Sequence, residues 1–408
     1  PTPWDPRPPA DPTMMTSFMH QTVRRLLAAA VAFTSVHLHA AGPQPELWRS
    51  YSGVTWAAPT SNNPADPNSV NAPIAGVHMD ARGRVFVSTP RLIAASAPAT
   101  LSLLDARYVD GPARLRAFPS VEGNAVSGAP SAHLRNVLGF HVDSRNGWLW
   151  ALDMGFVAGE KEAPVGGQKL VVYDLRRGDV VKVVALDPVA DRQGSFLNDI
   201  AVDEVRRIAY ISDSGLRSAP ANRAGVIVVE LDRGRTRRVL HQHASVMPAP
   251  GASVTSHGET VWPGNPLVLG INGIALSPDA RTLYWAVTTG TKVFRIPTDL
   301  LLSSRTSDAE RGAGVVEVGD VGGNTDGMVF GRDGHLYVTD VTRNGIVRMN
   351  VRTGEARILA SSDLVFWPDT ATLAPHGRIV FAAIRLDAHF AGSVSPGEER
   401  YQLWRVAP

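Results

Sequence analysis

The chain contains no cysteine. Disulfides, thiolate zinc sites and a cysteine nucleophile are therefore excluded, and stability has to come from packing. It also lacks any long basic block. Lys and Arg number 40 against 38 Asp and Glu, a formal net charge of +2, and no basic helix is legible, which argues against nucleic acid as a partner. No Gly-rich phosphate loop, H-E-x-x-H or G-x-S-x-G is present. Ser212, Asp213 and Ser214 do not form a nucleophile elbow, because no helix follows them. Helical periodicity is weak except near the N-terminus and in PTDLLLSS (297–304). A parallel α/β fold needs a helix between strands, so that class is set aside.

Long apolar runs are scarce as well. The one at LLAAAVAFTSVHL (26–38) is interrupted by His37 and short for a membrane span. Arg24 and Arg25 precede it and Ala40, Ala41 and Gly42 follow, the layout of a secretory signal. The competing reading is a disordered tail with a short core helix. Residues 1–41 are thus expected to be an N-terminal extension and signal, with a soluble product outside the cytoplasm, secreted or periplasmic, that has no membrane partner. The Pro-rich stretch 1–13 precedes Met14 and Met15 and reads as lying outside the fold.

What remains is ordinary globular composition, 44% hydrophobic and 19% charged over 408 residues, enough for a real core. Its organisation is a repeat. Six segments share one phrase: 75–89, 138–153, 198–213, 272–288, 326–340 and 368–384. Each is a short alternating strand, a turn rich in Asp, Gly, Asn or Pro, and a second strand rich in aromatic and β-branched residues. Several are followed by a further pair, as in 169–186, 225–240 and 345–359. Four strands per repeat make a propeller blade, so the prediction is an all-β, six-bladed β-propeller over 47–406. The C-terminal YQLWRV (401–406) is expected to close the ring by pairing with strands near the start of the domain.

Aligned, the copies begin with Ala75, Leu138, Asn198, Asn272, Asp326 and Pro368, followed by Gly76, Gly139, Asp199, Gly273, Gly327 and Asp369. Inner strands of a propeller start at one rim of its channel, so equivalent positions form a ring. Three adjacent blades put side-chain oxygens there. Asn198, Asn272 and Asp326 suit a hard cation such as Ca²⁺ or another divalent ion. The same residues suit a metal-free polar pocket, or plain turn chemistry in which Asn and Asp satisfy local backbone donors. Asp369 joins the ring as a ligand-binding candidate. Phe140, Phe196 and Trp367 stand beside the strand starts and are expected to supply an apolar wall.

His78 and His141 occupy matching slots deeper in, where other blades carry Ala201, Ala275, Val329 and Ala371. They read as satisfied core histidines or as a proton relay. Asp80, Asp143 and Asp203 begin hairpin turns and read as caps. Trp148, Trp150, Trp285 and Tyr284 read as inter-blade core. The loop 241–269 is longer than a normal connection; it is either a lid or a disordered excursion, and its HQH has no third ligand.

The segments VFVSTPRLIAASAPATLSLLD (85–105), AFPS (117–120), LGFHVDSRNGWLWALDMG (138–155), KLVVYDLRRGDVV (169–181), FLNDIAVDEVRRIAYISDSG (196–215), GINGIALSPDARTLYW (270–285) and FWPDTATLAPHGRIVFAAIRL (366–386) resemble, in order, the major royal jelly protein/Yellow family. The resemblance implies a secreted six-bladed propeller with an axial small-molecule cavity. Insect members bind biogenic amines or sterols, and some are similar to dopachrome-converting isomerases. Lack of cysteine together with the signal type suggests a bacterial member. A remoter similarity, to regucalcin/gluconolactonase and paraoxonase-like propellers, implies a metal held by Asn198, Asn272 and Asp326 with Asp326 as general base. That family's blade-1 acid would fall at Ile74 or Ala75, neither of which can ligate.

Two functions follow as expectations. One is a monomeric carrier that binds an aromatic amine, indole or sterol-like ligand, with an isomerase as its enzymatic version. The other is a divalent-metal lactonase or esterase, with Asp326 or Asp199 taking the proton. A scaffold for protein partners is the third.

Overall fold

The computed structural model describes residues 44–57 and 69–408. The expected signal falls outside the described residues. Six sheets of four or five strands follow one another along the chain, and Thr255–Ser256 pairs with Glu259–Thr260 in a separate small hairpin. All six inner hairpins read from the repeat form antiparallel strand pairs. The inner strands are Gly76–Met79, Val137–Asp143, Leu197–Asp203, Ile271–Leu276, Met328–Phe330 and Pro368–Leu373, opening blades 1 to 6 in turn.

Second strands lie between neighbouring blades and are apolar on both faces. Ile208–Asp213 is buried along its whole length, and so is Ile379–Ala383. Outer strands meet water, and Val180–Ala185 accordingly exposes most of its residues. Aromatic side chains from adjacent blades fill the seams. Phe86, Phe118, Phe140 and Tyr173 pack between blades 1 and 2, and Tyr210 and Trp285 share one cluster between blades 3 and 4. Trp150, Trp285 and Tyr284 are buried and Trp148 packs on the core, as expected.

The ring closes as the sequence predicts. Tyr401–Val406 is the third strand of blade 6, and Glu46–Tyr51 pairs with it, antiparallel, as the fourth. This joint hides an edge that would otherwise present unpaired backbone. One addition was not legible: Val54–Trp56 adds a fifth strand to blade 1, parallel to Ala113–Ala117. Helices are few. Thr298–Leu302 falls in the predicted helical stretch; Asp308–Ala313, with a Ser307/Glu310 capping box, and Leu386–Phe390 were not anticipated. Among the described residues no helix is long and apolar enough to cross a membrane.

The caps behave as read. Asp80 accepts from the Arg82 and Arg84 amides, Asp143 from that of Asn146, and Asp203 from those of Val205 and Arg206.

Candidate functional site

The aligned ring positions sit in irregular backbone. Register shifts occur between Val137 and Phe140, Leu197 and Ile200, Ile271 and Ile274, and Pro368 and Ala371. Each shift is a bulge at the entrance of an inner strand, and bulges re-aim side chains. Hydroxyls on second strands satisfy the freed amides. Ser88 accepts from Gly76 N at 3.0 Å, Ser212 from Asp199 N at 3.0 Å and Thr339 from Gly327 N at 2.8 Å.

Glycine at the second ring position lets the blades close on one another. A Cβ at Gly139 would lie 2.9 Å from Asp199 Cα and one at Gly273 would press on the backbone of Asp326 and Gly327. Blades 3 and 6, opposite each other in the ring, carry Asp199 and Asp369 there instead.

The ring frames an axial pocket. Its floor includes Asn198, Asn272, Asp326 and Asp369, and its walls Leu92, Leu138, Phe196, Leu216 and Trp367. Six of the residues selected from the sequence therefore meet in one place: Asn198, Asn272, Asp326, Asp369, Phe196 and Trp367. Phe140 does not. The Phe140 side chain is fully buried between blades 1 and 2, with its ring 4.8 Å from that of His78. The bulge at Leu138–Gly139 turns Leu138 to the pocket and sends Phe140 into the seam.

The roof was only partly foreseen. The loop 241–269 is an ordered lid whose Trp262, Leu267 and Leu269 face the pocket, joined by Leu386 and Phe390 of the short helix. Thr255 N donates to Asn324 Oδ1 at 3.0 Å, His257 stacks on Phe366 at 4.3 Å, and Trp262 Nε1 donates to the Asp387 carbonyl at 3.3 Å. Loop length was the signal for the lid; a five-residue helix has too few turns to show a period. Under this lid the free space is about 50 Å³, room for a few waters, against roughly 300 Å³ or more in a ligand cleft.

Electrostatics distinguish the floor. Asn272 Nδ2 donates to Thr288 Oγ1 at 2.9 Å and also to Asp326 Oδ1, while Trp367 Nε1 donates to Asp326 Oδ2 at 2.6 Å. Burial nevertheless pushes the Asp326 carboxyl up to about 6, the two hydrogen bonds only partly resisting. Asp199 is pushed up to about 7, mainly by burial and further by Asp326. Asp369 is raised well above the usual carboxylate range by burial and then by the charges of Asp326 and Asp199. Among the described residues no lysine or arginine forms an ion pair with any of the three. Acids elsewhere are paired: Asp153 holds Lys169 at 2.6 Å and Asp213 holds Arg238 at 2.8 Å. Both end second strands and brace loops.

The divalent ion suggested for Asn198, Asn272 and Asp326 does not fit this geometry. Asp326 accepts one N–H on each oxygen, from Asn272 and Trp367, so Asn272 turns its amide nitrogen, not its oxygen, toward the place a shared ion would take. Blade 1 contributes Ala75 to the ring. Ca²⁺ needs six to eight converging oxygens. The floor is instead suited to ionised and protonated carboxyls side by side, the condition for holding a cation or moving a proton.

Comparison with known proteins follows this geometry. Residues 136–366, more than half of the chain, match the family described as Major royal jelly protein. No curated protein matches the sequence. The chain is similar to a luciferin-regenerating enzyme (10% identity, 83% of this chain and 92% of that one, TM-score 0.49). It is also similar to a gluconolactonase from Xanthomonas campestris (15% identity, 90% and 99%, TM-score 0.46). A third is virginiamycin B lyase from Staphylococcus aureus (14% identity, 77% and 78%, TM-score 0.42).

Proposed function

Because the chain belongs to the major royal jelly protein family, we propose that it binds a small organic amine with an apolar, ring-sized body in the axial pocket. One observation carries this reading: two buried carboxyls, Asp326 and Asp369, with no basic partner among the described residues, line a cavity whose walls and lid are mostly leucine, phenylalanine and tryptophan, with Asp387 beside the lid. Burying a carboxylate unpaired is costly, and an ammonium group supplies the missing charge while the walls take the body. Neutral or anionic ligands would leave that cost in place. A protein that works on extracellular or periplasmic amines would also agree with the signal read at 26–41.

Isomerisation of the bound ligand is a second reading. It is favoured by the neighbouring carboxyls, Asp326 at about 6 and Asp369 higher, since near neutral pH one can accept a proton while the other donates one. The hydrolytic alternative has less support, because its metal does not fit the ring.

The test is calorimetry with matched probes, tryptamine against its neutral analogue tryptophol. Tryptamine should bind, tryptophol should bind at least about tenfold more weakly, and Asp326→Asn should erase the difference, as expected for a charge-assisted contact of 1.5–3 kcal/mol. Equal affinity for the two probes overturns the proposal. So does failure of tryptamine, phenethylamine and cyclohexylamine alike.

A further inference from the structure

We propose that His257, at the tip of the lid hairpin, is a positioning residue for the Asp326 carboxylate. It holds residues 365–367 in the arrangement that aims the Trp367 indole at Asp326, so the carboxylate keeps that partner only while His257 is docked. This role rests on the reading of the axial pocket as an amine site and concerns how that site is set.

Trp367 needs a holder. Its φ is +42°, in a region that a bulky residue rarely adopts. Pro368 follows it, and a proline ring crowds the preceding residue toward extended backbone. Such a conformation persists only where the surrounding contacts over-determine it. Burial packs the Trp367 ring in the pocket wall, and the bond to Asp326 Oδ2 fixes the far end of the side chain. Neither sets the backbone turn that delivers the ring. The Trp367 carbonyl accepts from Ile384 N only at 3.5 Å, long for a hydrogen bond.

The lid supplies the missing grip. Thr255–Ser256 and Glu259–Thr260 pair antiparallel, which leaves His257 and Gly258 as a two-residue turn. Both have positive φ, +49° and +81°, as the favoured two-residue hairpin turn demands. The turn carries the His257 ring onto Phe366, stacked at 4.3 Å with 22° between the planes. Nε2 donates to the Val365 carbonyl at 3.1 Å, and Nδ1 then accepts from Asn344 Nδ2 at 3.4 Å. One imidazole thus grips two consecutive residues, the two that lead into Trp367.

The contact spans the mouth of the ring. The lid leaves the chain between blades 3 and 4, whereas 362–367 joins blade 5 to blade 6. The start of that connection is held by its own blades: Ser362 N donates to the Asn344 carbonyl at 3.0 Å, Val365 N to the Ser362 carbonyl at 2.9 Å, and Val365 packs in the core. Phe366 is only half-buried, with the Arg385 guanidinium 5.9 Å from its ring centre, and the stack on His257 is what fixes it from above. When the lid lifts, the imidazole leaves Phe366, the Val365 carbonyl loses its donor, and the strain at Trp367 relaxes by moving the indole off Asp326. Closing reverses each step. The carboxylate that receives the ammonium is therefore set by the same movement that shuts the pocket.

The experiment is NMR of the full chain, labelled with ¹⁵N at its nine tryptophans and read first without ligand. Trp367→Phe and Trp262→Ala each delete one indole N–H signal and so identify the two that matter. His257→Asn is the test variant, because Asn-Gly is a preferred pair for a two-residue hairpin turn and the hairpin keeps its shape while the stack is lost. In it the Trp367 indole N–H should leave its hydrogen-bonded position and exchange with solvent at least about tenfold faster. The Trp262 indole N–H, bonded to the Asp387 carbonyl in the same lid, should stay unchanged, whereas a general loosening of the lid would move both. With tryptamine, His257→Asn should weaken binding about fivefold, and should weaken it no further in Trp367→Phe, where the indole donor is already gone. An unmoved Trp367 signal, joint movement of both signals, or an equal loss of affinity in the two backgrounds overturns the role. Absence of tryptamine binding to every form sinks the amine reading instead, and the ligand-free spectra still decide what His257 does.

Discussion

Trp367 donates its indole N–H to Asp326 Oδ2 at 2.6 Å from a backbone with φ of +42°. A bulky residue in the left-handed region is unusual and strained, by about 1–3 kcal/mol. The neighbouring blade holds it there so that the indole meets the carboxylate from the side and leaves the pocket axis open. Trp262 in the lid has φ of +51°. Two strained tryptophans thus bracket one cavity, and local strain of this kind collects where binding needs preset geometry.

Trp367→Phe removes the donor and keeps most of the ring. The bond lowers the Asp326 carboxyl, so its loss should raise that value from about 6 and leave one oxygen buried without a partner, a cost of about 1–3 kcal/mol. Titrating tryptamine calorimetrically across pH should give a binding midpoint displaced upward and, near neutral pH, affinity weaker by about tenfold. An unmoved midpoint would mean the indole is only a wall.

Asp199→Asn separates electrostatics from packing. A carboxyl raised in the folded chain contributes stability that is complete below its unfolded value near 4, and that is lost as pH rises through the folded value of about 7. Asparagine imitates the protonated form at every pH. The variant should therefore match the parent at acid pH and exceed it above pH 7. Three units are worth about 4 kcal/mol at most; the lost accepting bonds reduce this to about 1–2 kcal/mol, a few degrees in Tm. His78, pushed down to about 3, acts oppositely, its contribution falling away as pH drops below 6.5. It is present in both proteins and cancels in the difference. Thermal melts at several pH values decide it.

Much of this architecture was legible because a propeller writes each blade into sequence as a local hairpin. The alternation in 198–213 or 272–288 sets strand, turn and facing without reference to distant residues. The ring was legible for the same reason, since Asn198, Asn272 and Asp326 are equivalent by position and Asp369 follows their equivalent, Pro368. Phe140 was misplaced because a bulge shifts facing by one residue, and nothing in LGFHVD marks where the extra residue goes. The lid contacts of Trp262 and Phe390 were unreadable because they join residues more than a hundred positions apart. The partners of Asp326 were hidden likewise: an Asp at a strand entrance gives no sign that a tryptophan from the next blade will hold it. The metal reading loses support on this point, because spacing placed three oxygens on a ring but could not say that Asn272 would turn its nitrogen toward Asp326.

The lid yields the last prediction. Trp262 is tethered through Nε1 to the Asp387 carbonyl at 3.3 Å and meets Phe390 edge-on at 6.2 Å. Gly258 and Gly264 flank it, and a Cβ on either would meet nothing. With only about 50 Å³ free beneath it, a ring-sized body enters only if the indole leaves, and leaving relieves its positive φ. Trp262→Ala deletes both the obstacle and a wall. Stopped-flow mixing with tryptamine should show association faster by about fivefold or more, and dissociation faster still, because the lost aromatic contact is worth about 0.5–1.5 kcal/mol beyond its buried area. Affinity then falls although entry is easier. Were association unchanged, the ligand would be reaching the carboxyls without displacing Trp262.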